Sequence, residues 1–251
     1  MSKRIIKFGV AVVIVMLFAL SVTACSSEST SFSADENSPL VITQRDYHTY
    51  MDTEGRFGAE LFGEMKNQGN DTIEVKDVTI ELFDAEKKSI GKVKGMFAPQ
   101  YLKPGDIGLF SYLIPSEKGS PKIEKNGQIN AITAIVGYRP VKTYENNSLM
   151  ITSAKLEISP ANDIPEVETT LENTYEQDVL DYNAVAGVYD SQGKLLACYR
   201  NDTSNDKAIL KKWNQNTFLS GWPDNTDVNR FNDAKSAKVF AYVTKFGEIQ
   251  K

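Results

Sequence analysis

An internal repeat is the feature that most constrains how this chain folds. At a gapless offset of 106 residues, the run 78–84 falls on 184–190, and Asn67 falls on Asn173. A period of about 100 residues is too long for a solenoid, whose repeats are shorter, and it matches the size of an ordinary domain. The repeat therefore predicts two tandem copies of one domain.

The local pattern within the copies is that of strands with one buried face. Val78, Ile80 and Leu82 alternate with polar residues, and the segments 132–138 and 239–243 alternate in the same way. Turn-forming residues separate these runs, and no segment has the apolar spacing of an amphipathic helix. Short strands divided by turns are typical of antiparallel sandwiches. We therefore predict an all-β body made of two tandem antiparallel immunoglobulin-like β-sandwich domains.

The first copy resembles a known family. Gly63–Asn67, then Ile80–Asp84, then Leu102–Gly105 resemble the FxLYD-type domain, which occurs in exported bacterial lipoproteins. The resemblance covers roughly 60–110 and implies an immunoglobulin-like or fibronectin III-like sandwich. In the second copy, roughly 166–220, the match is weaker. The family implies no catalytic residues.

The signature strand also predicts three side-chain positions. We expect Leu82 to point into the core, and Phe83 to pack on the outer face or under a loop. Asp84 is expected to accept hydrogen bonds from amides of the following turn, as aspartates at the start of turns commonly do.

The N-terminus has the three-part organisation of an export signal. A positive segment (Lys3, Arg4 and Lys7) precedes an apolar run from Phe8 to Leu20, and small residues follow. Val22-Thr23-Ala24-Cys25 resembles a bacterial lipobox, which implies lipid attachment to the Cys25 thiol and cleavage before it. The alternative is an uncleaved transmembrane anchor, for which the uncharged run is short.

These features divide the chain into four parts. Residues 1–24 are predicted to be a lipoprotein signal peptide, and 25–39 a lipidated cysteine with a flexible, serine-rich tether. The first sandwich domain is predicted over 40–146 and the second, a divergent repeat, over 147–251. We expect the protein at the extracytoplasmic face of the cell membrane, held by lipid.

The charge of the body excludes one class of partner. Setting aside the three basic residues of the signal peptide leaves 25 basic against 33 acidic residues, a net charge of −8. An acidic body without a basic stripe does not suit nucleic acid.

Residues with catalytic chemistry are few. His48 is the only histidine, so any His-dependent triad depends on it, and we interpret it as a partly exposed surface residue. Cys198 lies in a strand-like pattern and is interpreted as a small buried hydrophobic residue rather than a reactive thiol. Neither a metal site nor a cofactor is predicted.

Trp213 and Trp222 are the candidate ligand-binding residues. Both lie in region 200–233, which is rich in Asn, Asp, Thr and Lys, and aromatic rings beside amides suit a sugar or peptide. The alternative is that both rings pack in the core or between the domains.

We therefore expect a non-enzymatic binding or scaffolding lipoprotein whose partner is an envelope protein or a wall polymer. Two alternatives stay open: a cell-envelope hydrolase acting on wall glycan or peptide, and an inhibitory module for another envelope protein.

Overall fold

The computed structural model describes residues 38–117, 120–159, 163–201, 208–220 and 228–249. Within these ranges the chain forms thirteen strands and one short 3-10 helix (Val228–Phe231), and no helix is long and apolar enough to cross a membrane. The strands are β1 (Leu40–Met51), β2 (Phe57–Asn67), β3 (Thr72–Phe83), β4 (Ser89–Ala98), β5 (Tyr101–Leu102), β6 (Ile107–Ile114), β7 (Ala131–Val141), β8 (Met150–Ile158), β9 (Pro165–Glu172), β10 (Asp178–Asp190), β11 (Leu195–Arg200), β12 (Asn214–Ser220) and β13 (Ala234–Gly247).

The first half, β1 to β7, is one antiparallel sheet folded over its own core. The strand order is β1-β2-β6-β4-β3-β5, with β7 on the other edge of β3. β4 joins the two layers because its residues up to Gly95 pair with β3, while Met96 to Ala98 pair with β6. Apolar side chains from both layers, including Leu61, Ile80 and Phe110, are fully buried between them.

The second half repeats these pairings with two separate sheets. β9 lies between β8 and β12, as β2 lies between β1 and β6, and β10 pairs with β11 and β13, as β3 pairs with β4 and β7. A separate core cluster, including Val167, Tyr182 and Val188, fills the space between the sheets. The predicted all-β, antiparallel, immunoglobulin-like fold class is confirmed.

Two equivalent side chains show how closely the halves repeat. The buried Asn67 amide donates from Nδ2 to the carbonyls of Asp71 (2.8 Å) and Leu102 (2.9 Å). Its counterpart Asn173 donates to the carbonyls of Gln177 and Ile209, each at 3.0 Å. Each amide therefore ties the turn that follows its own strand to a distant segment.

Two of the three predicted positions in the signature strand, Leu82 and Asp84, can be compared directly with the structure. Leu82 is fully buried, and Asp84 accepts a hydrogen bond from the backbone amide of Lys88 at 2.8 Å. Asp190, its counterpart 106 residues later, accepts one from Lys194 at 2.9 Å. Both of these predictions are confirmed.

A third buried cluster joins the two halves. It forms because the outer face of β2, β4 and β6 packs against β10, β11 and β13, and its members are Phe62, Ala98, Leu109, Val185, Tyr189, Leu195, Cys198 and Tyr242. Gln44 strengthens this junction, since its amide donates to the carbonyl of Gly193 (3.0 Å) and accepts from the backbone amide of Leu195 (2.7 Å). Residues on both sides belong to one compact unit. The domain boundary at 146/147 stays a prediction.

Candidate functional site

Of the predicted site residues, Cys25 and Trp222 lie outside the described residues, as do the predicted signal peptide and residues 25–37 of the predicted tether. Trp213 is described, and 63% of it is exposed. The alternative that Trp213 packs in the core is therefore wrong. Trp213 ends a turn that begins at Leu210, in which Lys212 has a positive φ of 55°.

His48 is more buried than a surface residue. Its side chain is only 13% exposed, and its Nε2 lies 2.5 Å from the Oε2 of Glu60 on the neighbouring strand. The imidazole also contacts Phe62 edge to face, with ring centroids 5.8 Å apart. Phe62 is itself buried in the cluster that joins the two halves, and its ring covers the His48 side chain on β1.

Cys198 is buried, as predicted for a small hydrophobic residue. It is 1% exposed, and burial raises the pKa of its thiol well above the usual range. The nearby carboxylates of Glu60 and Glu64 raise that pKa further. Because the thiolate is the nucleophilic form, Cys198 is poorly suited to covalent chemistry in the folded protein.

The junction contains two buried carboxylates that the sequence pattern did not reveal. Glu60 and Glu64 lie on the outer face of β2 and are each 7% exposed. Tyr189 and Thr43 each donate a hydrogen bond to Glu64 at 2.7 Å, and the Nζ of Lys238 lies 3.9 Å from the same carboxylate. Four residues along a strand separate the Cα atoms of Glu60 and Glu64 by about 13 Å.

Glu64 links the two halves through Tyr189 and Lys238. Burial raises the pKa of Tyr189, and the hydrogen bond to Glu64 raises it further, so its hydroxyl stays a donor at neutral pH. The Lys238 Nζ also lies 4.4 Å from the centre of the Tyr189 ring. A buried carboxylate requires such partners, because an unpaired charge would be strongly destabilising there. This arrangement is therefore structural.

A half-open cavity of about 500 Å³ lies next to the junction. Three parts of the chain line it: the segment from Pro99 to Ile107, the connection from Tyr144 to Ile151 between the two halves, and Val239–Ala241 of β13. This volume is within the range of small-molecule binding sites, which commonly lie between domains.

Aromatic rings and polar groups share the cavity wall. The rings of Tyr101 and Tyr144 stack with centroids 4.6 Å apart and planes inclined by 28°. Lys103, Asp106 and Asn146 contribute polar side chains. Burial raises the pKa of Tyr101, so its hydroxyl remains protonated at neutral pH.

A hydrogen-bonded network fixes the connecting segment behind these rings. Asn147 donates from Nδ2 to the Oε1 of Gln100 at 2.6 Å and to the carbonyl of Val243 at 3.1 Å. Gln100 in turn donates to Glu74 at 3.2 Å, and Glu74 also accepts from Arg139 (2.7 Å) and from Lys76. The network ties both halves to the cavity wall, which gives the site a defined shape.

This arrangement is suited to binding. It presents aromatic surface with hydroxyl, amide and charged groups around it, which can orient a small polar ligand. No group of three or more His, Cys, Asp or Glu side chains in the described ranges is placed to hold a metal ion. Tyr101 and Tyr144 were not among the candidate site residues predicted from the sequence. The one sequence feature that pointed to this site is a tyrosine, Tyr144, in the segment that connects the two repeats.

Comparison with known proteins adds little to this description. The sequence matches no family model and no curated protein. A red sea bream transglutaminase structure is 11% identical with a TM-score of 0.24; the match covers 82% of this chain and 31% of the transglutaminase chain. Procruciferin, an 11S globulin from Brassica napus, is 8% identical with a TM-score of 0.11, over 83% of this chain and 82% of its own. Scores this low support no inference about fold or function.

Proposed function

We propose that this protein is a membrane-anchored binding protein of the cell envelope, held by lipid on Cys25, that binds a wall glycan fragment in the cavity beside its junction. The lipobox-like sequence supports the anchor, and the resemblance to FxLYD-type domains agrees with an exported lipoprotein. Two immunoglobulin-like modules that pack into one unit form the cavity wall.

The observation that carries this proposal is the stacked pair Tyr101 and Tyr144 on the wall of the cavity. A pyranose ring has an apolar face and a rim of hydroxyl groups, so it requires an aromatic surface bordered by polar groups. Lys103, Asp106 and Asn146 supply that border.

The same geometry favours binding over hydrolysis. A glycosidase requires two carboxyl groups on either side of the scissile bond. The buried acids Glu60 and Glu64 point into the junction and accept hydrogen bonds from side chains there, and Asp106 is the one carboxylate among the described cavity-lining residues. An enzyme of wall glycan or peptide and an inhibitory module remain the alternatives.

Titration calorimetry with soluble wall glycan fragments tests the ligand site. Tyr144→Ala should weaken binding at least tenfold, because the ring forms one side of the proposed platform. Phe218→Ala is the matched control, since Phe218 is a 65% exposed aromatic residue outside the cavity lining. An equal loss in both variants, or no heat of binding in the wild type, would remove the glycan proposal. Release of reducing ends during the titration would instead favour the hydrolase.

Cell fractionation tests the anchor. Cys25→Ser should yield an unprocessed or released protein, because no thiol remains to form the thioether to lipid. Normal processing and normal membrane retention of that variant would refute the lipoprotein assignment without affecting the cavity.

A further inference from the structure

The turn Leu210–Trp213 exposes apolar and basic side chains together. Trp213 is 63% exposed and Leu210 is 37% exposed, and Lys211 and Lys212 between them are also exposed. Two large apolar side chains exposed in one turn are a candidate interaction surface. Tryptophan beside lysine suits the boundary of a bilayer, where indole lies at headgroup depth and ammonium groups meet phosphates.

The turn is rigidly supported. The Nδ2 of Asn173 donates to the carbonyl of Leu210 at 3.2 Å, and the backbone amide of Asn173 donates to the carbonyl of Trp213 at 3.0 Å. Lys212 donates to the carbonyl of Thr174 at 2.6 Å and forms an ion pair with Glu176 at 2.9 Å. The exposed Trp213 and Leu210 side chains therefore belong to an ordered turn.

In the first half, the position equivalent to Trp213 is occupied by Asp106. Asp106 ends the corresponding turn, with its amide bonded to the carbonyl of Lys103 at 3.0 Å, as the Trp213 amide is bonded to Leu210 at 3.1 Å. Gly105 has the positive φ that Lys212 has in the second half. The same turn therefore carries an aspartate in one copy and a tryptophan in the other, so the fold does not require the tryptophan.

The described chain begins close to the first-half turn that ends at Asp106. Near Ser38, where the described chain begins, the Pro39 carbonyl accepts hydrogen bonds from the amides of Gln68 (2.6 Å) and Gly69 (3.2 Å). Asn67, next to them, donates its backbone amide to the carbonyl of Asp106 at 3.0 Å. The described chain therefore begins beside the first-half turn.

A series of contacts links the turn that ends at Asp106 to the turn that ends at Trp213. Asp106 and Asn146 line the same cavity, and the hydroxyl of Tyr175 donates to the carbonyl of Asn146 at 2.8 Å. Thr174, adjacent to Tyr175, accepts the hydrogen bond from Lys212. The turn beside the chain entry and the Trp213 turn are therefore connected through the cavity wall.

We propose that the turn Leu210–Trp213 rests on the surface of the lipid bilayer to which Cys25 is attached. This inference depends on the proposed lipid anchor. Trp213 and Leu210 enter the interface, and Lys211 meets headgroup phosphates, while Glu176 neutralises Lys212. The contact orients the body, so that the cavity beside the junction is held near the membrane.

The linker length is compatible with this contact. Twelve residues separate Cys25 from Ser38, and a linker of that length extends at most about 45 Å. Tethering at such short range raises the effective concentration of the turn at the surface, so weak contacts suffice. The net negative charge of the body opposes approach by other faces to an anionic membrane.

Fluorescence of the mature, lipidated protein, which begins at Cys25, in liposomes tests the proposal. The liposomes contain phosphatidylglycerol and phosphatidylcholine with brominated acyl chains, which quench indole at the interface. We expect quenching of the wild type, and Trp213→Ala should reduce that quenching to less than half. Phe218→Ala, the exposed aromatic control on the sheet of the second half, should leave it unchanged. Unchanged urea midpoints would show that both variants are folded.

Liposome flotation separates the two proposals. Protein that floats but shows no quenching, or equal quenching in Trp213→Ala, overturns the contact of this turn with lipid and leaves the anchor standing. Protein that does not float refutes the anchor and with it this placement. A change in Trp213 emission caused by wall fragments, without quenching by lipid, would assign the turn to another partner.

Discussion

Replacing either buried asparagine, Asn67 or Asn173, by alanine is expected to destabilise the whole body. Both side chains are fully buried, and each accepts a hydrogen bond from a backbone amide two residues later, at 2.9 Å from Gly69 and 3.0 Å from Tyr175. Each also donates to carbonyls of two separate segments. Alanine removes every one of these bonds and supplies no replacement.

The magnitude follows from the number of groups left without partners. A typical net hydrogen bond contributes about 1 kcal/mol, and a buried group left unsatisfied costs about 1–3 kcal/mol. Asn67→Ala removes three bonds, of which the one to the Leu102 carbonyl is buried. The free energy of unfolding should therefore fall by about 3 kcal/mol, and by about the same amount for Asn173→Ala. That is a large share of the roughly 5–15 kcal/mol of an ordinary protein.

Urea unfolding followed by far-ultraviolet circular dichroism and by fluorescence measures this loss. Because the halves share the third cluster, the wild type should unfold in one transition, and either substitution should lower its midpoint. Asn216→Ala is the control: Asn216 is exposed on β12 and accepts one hydrogen bond, from Thr170 at 2.8 Å. Its effect should stay below about 0.5 kcal/mol.

Two results would refute this reasoning separately. A loss below about 1 kcal/mol in both buried-asparagine variants would mean that the hydrogen bonds contribute little. Two transitions, only one of which moves in each variant, would show that the halves unfold independently despite the junction.

Three further predictions concern ionisable groups. Cys198 should resist a thiol reagent at pH 8 in the folded protein and react fully in urea, because burial raises its pKa. Tyr189→Phe should lower the free energy of unfolding by about 1–2 kcal/mol, since it removes a donor from the buried Glu64, and urea titration measures the loss. The hydrogen bond from Lys76 lowers the pKa of Glu74, so its contribution is present above the unfolded pKa and disappears as the pH falls. Glu74→Gln should therefore show a smaller decrease in urea midpoint between pH 7 and pH 3 than the wild type, and an equal decrease would contradict that assignment.

Local sequence patterns determined the strands and the direction of their inner faces. Leu82 lies in the core and Asp84 in a turn because alternation and turn chemistry act over a few neighbouring residues. The repeat likewise predicted that Asn67 and Asn173 occupy equivalent places. Each of these properties depends on interactions within one strand or one turn.

Only the tertiary structure decided which outer faces are buried. Glu60 and Glu64 occupy a face of β2 that would be solvated in a lone sandwich, and it is buried because the second half packs against it. The alternation of apolar and polar residues in one strand indicates which face packs in the core of its own sandwich. It contains no information about a second surface that is more than 100 residues away in the sequence. The cavity wall, with Tyr101 facing Tyr144, arises from the same packing. Trp213 is exposed at the end of a turn in which Lys212 adopts a left-handed backbone conformation, and residue type alone does not specify that conformation.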